Sequence, residues 1–291
     1  MNKKPLLSSM HTHTIFCDGE DDIETMCRAA YENGLFAVGF SAHVSCEKQL
    51  GREIFWNLKE NRVNDYVNEV LAAKKRWNGK INVFLGLEAD YIKNIRSPND
   101  DDIKALNLDY IIGSVHYLVP KNGKEPFTVD GSLKELEDGI NECFDGDAVS
   151  LMHSYYDAQL EMISMGGFDI LGHADILKKY CHNKNFWPEK EENARQIEIV
   201  KAVSHSGIVI EVNTGGLNRK KINETFPSLS FLKIIQKYNI PVIITADAHK
   251  AEHIDGNYNF ALNMLKLADI KEHFLFNGKN NGKTIWLKEK I

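Results

Sequence analysis

The chain alternates short apolar runs with longer segments in which apolar residues recur every three or four positions. The apolar runs are rich in Val, Ile, Leu or Phe, and most end in Gly, Ser or a polar residue. Continuous runs of this kind suit parallel strands that are covered on both faces. The sequence therefore predicts strands over residues 5–11, 37–43, 82–91, 110–117, 168–175, 207–214 and 241–249.

Helical patterns lie between these runs. In residues 60–77, for example, Val63, Tyr66 and Val70 recur at the three- and four-residue steps of one amphipathic face. Further helices are predicted over residues 23–33, 133–144, 194–205 and 229–238. Strands that alternate with helices predict an α/β barrel of parallel strands. Such barrels often reach this length as one unit, so we expect a single domain over residues 1–291.

Composition narrows the possible environment and partners. No stretch approaches the ~18 consecutive apolar residues of a membrane span, and the opening MNKKPLLSSMHTH has no apolar run, so we expect a soluble cytoplasmic protein. The net charge of −6 argues against nucleic acid as a partner. A small anionic substrate stays possible, because a metal cluster can supply positive charge locally. The five cysteines are scattered without a CxxC pair, which argues against a disulfide framework.

Six of the eleven histidines fall at or just beyond the carboxyl ends of predicted strands, together with two carboxylates. They are His11, His13, His43, His116, His173 and His249, with Glu88 and Asp247. In a barrel these ends open onto one rim, where loops build active sites. A lone HxH pair is a weak signal, but six histidines on one rim are hard to explain as core packing, because a buried unpaired imidazole is costly. Imidazoles and carboxylates together predict divalent transition metals at this rim.

The motifs that carry these residues resemble the PHP (polymerase and histidinol phosphatase) superfamily along almost the whole chain. The run MHTHT at 10–14, followed by CDG at 17–19, resembles its opening motif. The later motifs follow in order as FSAH, GLE, GSVH, LGH and ADAH, which end at His43, Glu88, His116, His173 and His249. Residues 168–180 and 211–227 look like those of the stand-alone histidinol-phosphate phosphatases within it.

The resemblance implies a distorted seven-stranded (β/α)7 barrel, similar to a TIM barrel, with a trinuclear metal centre. The first metal would take His11, His13, Glu88 and Asp247; Glu88 would bridge to a second metal on His116 and His173; a third would take Asp18, His43 and His249. Many relatives have a histidine shortly after the HxH pair, where this chain has Cys17 and Asp18. Asp18 can ligate a metal or accept a proton, whereas Cys17 is expected to be a plain buried thiol.

The implied activity is that of a metal-dependent phosphomonoesterase in histidine biosynthesis, with L-histidinol phosphate as substrate. A metal-activated hydroxide would be the nucleophile, and Glu88 and Asp18 would be the catalytic carboxylates. Asp18, or a water on the third metal, would supply the proton for the leaving oxygen. About two or three divalent ions are expected, and Mn, Fe and Zn all suit such ligands.

Basic residues near the rim are candidates for holding the phosphate of a small phosphorylated metabolite. We select Lys179 and Arg219, since each follows a predicted strand in a rim loop, although a solvated surface charge explains either equally well. One alternative function is a nucleotide or oligonucleotide phosphoesterase of the same superfamily. Another is a metal-binding module without catalysis. The oligomeric state has no signal in the sequence.

Overall fold

The computed structural model of the chain describes residues 5–181 and 188–291. Its strands are β1 (Ser8–Ser9), β2 (Ala37–His43), β3 (Asn82–Asp90), β4 (Tyr110–Ser114), β5 (Tyr117–Leu118), β6 (Phe127–Thr128), β7 (Ile170–Leu171), β8 (Val209–Asn213), β9 (Val242–Thr245), β10 (Glu272–Asn280) and β11 (Lys283–Lys290). Its helices are α1 (Ile23–Glu32), α2 (Glu47–Leu50), α3 (Val63–Arg76), α4 (Asp101–Lys104), α5 (Leu133–Cys143), α6 (Ala148–Met165), α7 (Lys178–Cys181), α8 (Glu189–Ser204), α9 (Gly215–Asn218), α10 (Leu229–Lys237) and α11 (Tyr258–Leu267). Two 3-10 turns cover Glu60–Arg62 and Ala251–His253.

Seven parallel strands form the barrel. Their order is β1-β2-β3-β4-β7-β8-β9, so each strand lies beside the next barrel strand along the chain. The two edges meet where Thr12 bridges Ala248 in parallel. There His13 N donates to Ala248 O (2.8 Å) and Ala248 N donates to His11 O (3.0 Å). The predicted seven-stranded (β/α) barrel is confirmed, and the closing bonds involve the segments that carry the HxH and DAH motifs.

Two helices cover the first strands of the barrel. Helix α1 begins after Asp22, whose side chain accepts from Thr25 N (2.7 Å) and caps the first turn. Helix α3 buries Tyr66 and Val70, and the Tyr66 hydroxyl donates to Gly86 O in β3 (2.8 Å). These contacts fix β2 and β3, the strands that carry His43 and Glu88.

The apolar pattern overestimated the length of several strands. The run at 110–117 leaves the barrel at Ser114, and Tyr117–Leu118 pairs antiparallel with Phe127–Thr128 instead. The run at 168–175 forms a ladder only over Ile170–Leu171. The reason is that the residues beyond these ladders, such as Val115, His173 and Ala174, are still buried. Burial continues past the last strand pairing, because the rim itself is covered.

A carboxyl-terminal hairpin of β10 and β11 plugs the opposite end of the barrel from the histidines. The Phe276 ring lies 4.8 Å from Phe84 and 5.4 Å from Tyr110, with Trp286 behind it. Phe276 and Tyr110 are fully buried. This aromatic plug leaves the carboxyl-end rim as the open end. No helix in the described part of the chain is long and apolar enough to cross a membrane.

Candidate metal centre

The structure brings all nine predicted ligands into one cluster at the carboxyl-end rim. His43 ends β2, Glu88 lies within β3, and the others lie in the segments that follow barrel strands. Seven of the nine are buried, whereas Asp18, in the loop after His13, and His249 keep 25% and 21% of their side chains exposed. The sequence-predicted site residues are therefore neighbours in space. Their roles as ligands follow from the chemistry of this arrangement and stay predictions.

Glu88 lies at the middle of the cluster, and its two oxygens face different histidines. Oε2 lies 3.0 Å from His11 Nε2 and 3.5 Å from His13 Nε2. Oε1 lies 2.9 Å from His173 Nε2 and 3.5 Å from His116 Nε2. A carboxylate that divides its oxygens between two sets of imidazoles has the geometry of a bridge between two cations.

Asp247 completes the set around His11 and His13. Its Oδ1 lies 3.6 Å from His11 Nε2 and 3.3 Å from His13 Nε2. Asp247 has a φ of 47°, a backbone conformation that is uncommon outside glycine and is found at functional sites. The carboxylate is approached closely by Gly215, where an added Cβ would lie 2.6 Å from Asp247 Oδ2. Only glycine leaves room for this carboxylate at the rim.

Asp18 lies close to a third set of histidines. Its Oδ2 lies 3.1 Å from His249 Nε2, and its Oδ1 lies 3.6 Å from His13 Nδ1 and 3.8 Å from His43 Nε2. His43 faces both ways, because its Nδ1 lies 3.1 Å from Glu88 Oε2. Cys17 makes a different contact, with its Sγ 3.5 Å from His13 Nδ1. Asp18 therefore faces all three of these histidines, whereas Cys17 contacts His13.

The donor atoms fit divalent cations. Three groups have ligand atoms within 4.8 Å of one another: His13 with Asp18, His43 and His249; His11 with His13 and Glu88; and His43 with Glu88 and His116. Among the described residues, nothing hydrogen-bonds the buried atoms His13 Nε2, His43 Nδ1 and Asp18 Oδ1. Cations bound within the cluster would give such atoms partners, and imidazole with carboxylate is the donor set of Zn, Mn and Fe.

The proton affinities of the cluster reflect dense packing of opposite charges. Burial lowers the pKa of His116, but Asp90 and Glu88 outweigh it and raise that pKa to about 10. Burial would raise the pKa of Glu88, yet His11, His43 and His116 hold it well below its usual range. In contrast, burial and the neighbouring His249 and His43 lower the pKa of His13 to about 3. Glu88 is thus ionised, and cation binding would displace a proton from a histidine with a raised pKa, such as His116, but not from His13.

Two buried carboxylates that the sequence analysis did not select stand behind the cluster. Glu211 in β8 is fully buried, and His11 Nδ1–H donates to its Oε1 (2.5 Å). Asp90 at the end of β3 accepts from His116 Nδ1–H (2.8 Å). A bond of this kind fixes which ring nitrogen carries the proton and leaves Nε2 free to ligate a metal. For Glu211, the signal in the sequence is a single acidic residue within the largely apolar strand β8.

The two predicted phosphate-binding residues both line the cavity over the cluster, but each is held by a carboxylate. Arg219 Nη2 donates to Asp247 Oδ2 (2.9 Å), and its Nη1 donates to Asp247 O (3.3 Å) and lies 3.0 Å from His249 Nδ1. Lys179 Nζ lies 3.5 Å from Asp130 Oδ2 and donates to the Asp130 carbonyl. About a third of the Arg219 side chain is exposed, so part of the guanidinium remains open to a ligand.

A cavity of about 360 Å³ opens directly over the metal-ligand cluster. Its floor includes Glu88, His116 and His249, and Lys179 and Arg219 line its side. This volume suits a small metabolite rather than a polymer. The fold and this donor set together define a metal-binding (β/α) barrel protein with a site for one small ligand at the carboxyl-end rim.

Comparisons with known proteins agree with this class. The family model described as PHP domain matches residues 9–215, which is more than half of the chain. The chain belongs to the PHP domain family. The family membership that the sequence motifs predict is therefore confirmed.

Individual relatives match over nearly the full length. A Deinococcus radiodurans protein named "Probable histidinol-phosphatase" is 25% identical over 265 residues, which cover 91% of this chain and 94% of that protein. The solved structure of HisK from Listeria monocytogenes has a TM-score of 0.75 at 20% identity, covering 87% of this chain and 99% of that one. The histidinol phosphate phosphatase of Lactococcus lactis, solved with Zn, L-histidinol and phosphate, has a TM-score of 0.68 at 19% identity, covering 96% and 98%. At these identities the structural likeness shows the shared fold.

Proposed function

We propose that this chain is a metal-dependent phosphomonoesterase that hydrolyses L-histidinol phosphate to L-histidinol and phosphate. The observation that carries the proposal is the convergence of nine ionisable side chains, around a central Glu88, beneath a cavity of metabolite size. Membership of the PHP domain family and the names of the relatives support the same reaction. The product, L-histidinol, would then serve as a precursor of histidine.

We assign the metal ligands as the sequence predicts them. His11, His13, Glu88 and Asp247 would hold one cation; Glu88, His116 and His173 a second; Asp18, His43 and His249 a third. Cations at such sites lower the pKa of bound water and neutralise charge on phosphate oxygens. Mn, Fe and Zn all fit the donors, so availability decides between them.

Asp18 is the carboxylate of the cluster with the best access to the cavity. Its side chain is 25% exposed, against 1% for Glu88 and 7% for Asp247. We therefore assign to Asp18 the transfer of a proton from the attacking water to the leaving oxygen, and to Glu88 the buried bridging role. Arg219, with its guanidinium beside Asp247 and His249, would orient the phosphate, and Lys179 would add a second positive charge.

We also propose one PHP-type barrel domain over residues 1–291, acting in the cytoplasm on a small phosphorylated metabolite rather than on nucleic acid. The support for the last point is the net charge of −6 and the size of the cavity.

The test is a phosphate-release comparison on protein loaded with manganese, iron or zinc. Catalytic efficiency is measured on L-histidinol phosphate, mononucleotides and sugar phosphates. We expect L-histidinol phosphate to lead the series by at least about tenfold, or about 1.4 kcal/mol of transition-state preference. A nucleotide that leads by the same margin would replace this substrate with the nucleotide phosphoesterase alternative. No hydrolysis of any ester would favour the non-catalytic module.

A further inference from the structure

The cavity has a wall that neither binds metal nor carries positive charge. This wall includes Phe55 and Trp56, from the segment between α2 and α3, Asp130, from the segment that joins β6 to α5, and Glu135, in the first turn of α5. The metal-ligand floor and the basic side chains account for a phosphate group. The aromatic and acidic wall is therefore available to contact the alcohol part of a phosphate ester.

Phe55 is the most unusual member of this wall. Its side chain is 80% exposed, the largest value among the bulky apolar residues of the described chain. Its ring forms a T-shaped pair with Trp56, with the centroids 4.9 Å apart, and Trp56 stacks on buried Tyr117 at 6.2 Å. Phe55 therefore contacts an anchored partner while most of its side chain stays exposed. An aromatic ring that is exposed at a cavity mouth is suited to stack on a bound ring.

Asp130 supplies negative charge deeper in the same wall. Its side chain is 22% exposed, and its backbone carbonyl accepts from Lys179 Nζ and from the Tyr180 hydroxyl (3.3 Å). The same hydroxyl donates to Gly131 O (2.9 Å), and Ser132 caps α5 by accepting from Glu135 N (3.1 Å). These bonds hold the backbone of the segment in place, and Lys179 Nζ, 3.5 Å from Asp130 Oδ2, pairs with the carboxylate on one side.

We infer that this wall binds the alcohol half of the substrate, with Asp130 accepting hydrogen bonds from its cationic amine and Phe55 stacking on its ring. The inference deepens the proposed function and rests on it, since it takes phosphate-ester hydrolysis as given. The site would favour phosphate esters of small alcohols that carry both an ammonium group and an aromatic ring. Asp130 and Glu135 would also repel alcohols with a further negative charge, and so exclude sugar bisphosphates and nucleotides with more than one phosphate.

The experiment separates the two contacts with four esters. L-histidinol phosphate offers a ring and a cation, phenyl phosphate a ring only, phosphoethanolamine a cation only, and glycerol phosphate neither. The metal-loaded wild type is compared with Asp130→Asn and Phe55→Ala. Asp138→Asn, an exposed carboxylate on α5, and Leu267→Ala, an apolar side chain that is 65% exposed on α11, are the matched controls.

We expect Asp130→Asn to raise KM for the two cationic esters by about tenfold or more, because hydrogen bonds to charged groups are the strong ones. The other two esters should show a clearly smaller rise, which reflects only the loss of the Asp130 charge beside Lys179. Phe55→Ala should raise KM for the two ring-bearing esters by about three- to tenfold, and Phe55→Tyr should restore it. In calorimetry, the affinity for L-histidinol alone should fall in both variants, while the control variants keep it.

A uniform loss on all four esters, or no loss on any, would overturn the inference while leaving the phosphatase proposal intact. Failure of the wild type to prefer L-histidinol phosphate would overturn the proposed substrate instead. The two failures are distinguishable. The wall is tested by the change in KM that each variant causes for each ester, and this change does not depend on which ester the wild type hydrolyses fastest. Phe55 is exposed, so its variant tests the wall even if Asp130→Asn folds poorly.

Discussion

Replacement of Glu211 by glutamine tests whether the carboxylates that hydrogen-bond the predicted ligand histidines control metal binding. The Glu211 carboxylate is fully buried and accepts four hydrogen bonds. His11 Nδ1–H and the Thr245 hydroxyl (each 2.5 Å) donate to Oε1, and His173 N (2.7 Å) and Asn213 Nδ2 (3.1 Å) donate to Oε2. Glutamine keeps the shape but turns one of these two acceptor oxygens into a donor.

Either orientation of the glutamine amide carries a penalty. If its nitrogen faces His173 N, a backbone donor that cannot turn away is left unpaired, at a cost of about 1–3 kcal/mol. If its nitrogen faces His11, the ring must accept at Nδ1 and carry its proton on Nε2. That nitrogen is the one 3.0 Å from Glu88, so the protonated ring could no longer ligate a metal there. Thr245 and Asn213 can reorient, and so they limit the loss.

We therefore expect Glu211→Gln to lower metal affinity by about 10- to 100-fold, the usual effect of removing a partner of a ligating histidine. Metal retention is measured by elemental analysis during titration with a chelator, and the melting temperature is recorded with and without metal. Glu198→Gln is the control, because Glu198 lies half exposed on α8. Wild-type metal retention in Glu211→Gln would refute the argument that this bond sets the His11 tautomer.

Three further results are expected. Glu88→Gln should cut turnover by at least about 100-fold with the fold intact, because it removes the charge that faces both sets of histidines; near-normal turnover would show that the bridge is misassigned. Protein prepared without chelator should hold about two or three transition-metal ions per chain, and chelation should abolish activity reversibly; a content below about one ion per chain after adding manganese, iron or zinc would contradict the assignment. Gly86→Ala should destabilise the barrel by about 1–3 kcal/mol in thermal unfolding, because its Cβ would lie 2.5 Å from the buried Tyr110 ring. An unchanged melting temperature would mean that the ring moves aside freely.

Much of the barrel could be predicted from the order of apolar runs. The prediction for β2 matches residue for residue, and α1, α5 and α10 end within one residue of the predicted limits. The strand at 168–175 was overestimated, because His173 and Asp175 are buried by the rim and not by strand pairing. Helix α11 and the β10–β11 hairpin were not predicted as elements. The apolar residues of the hairpin are explained only by the barrel end that they close, where Phe276 contacts Phe84 and Tyr110.

The predicted ligands came from residue type and place in the motifs, which a sequence displays directly. Glu211 and Asp90 were missed because their roles depend on which ring nitrogen they face. A single glutamate within the apolar run of β8 was a usable signal, since a buried carboxylate needs a partner. Lys179 was selected for its charge, and only the structure shows that Asp130 already holds it.

By itself, the sequence determined the barrel class, the family and the set of metal-ligand candidates, because hydrophobic periodicity and short motifs are local properties of the chain. Only the tertiary structure decided which oxygen of Glu88 faces which histidine, which carboxylates hydrogen-bond the ligands from behind, and that Phe55 and Asp130 line the same cavity. Those facts depend on distances between segments up to two hundred residues apart, such as His11 and Glu211. Packing sets such distances to within tenths of an ångström, and residue order does not encode them in any local pattern.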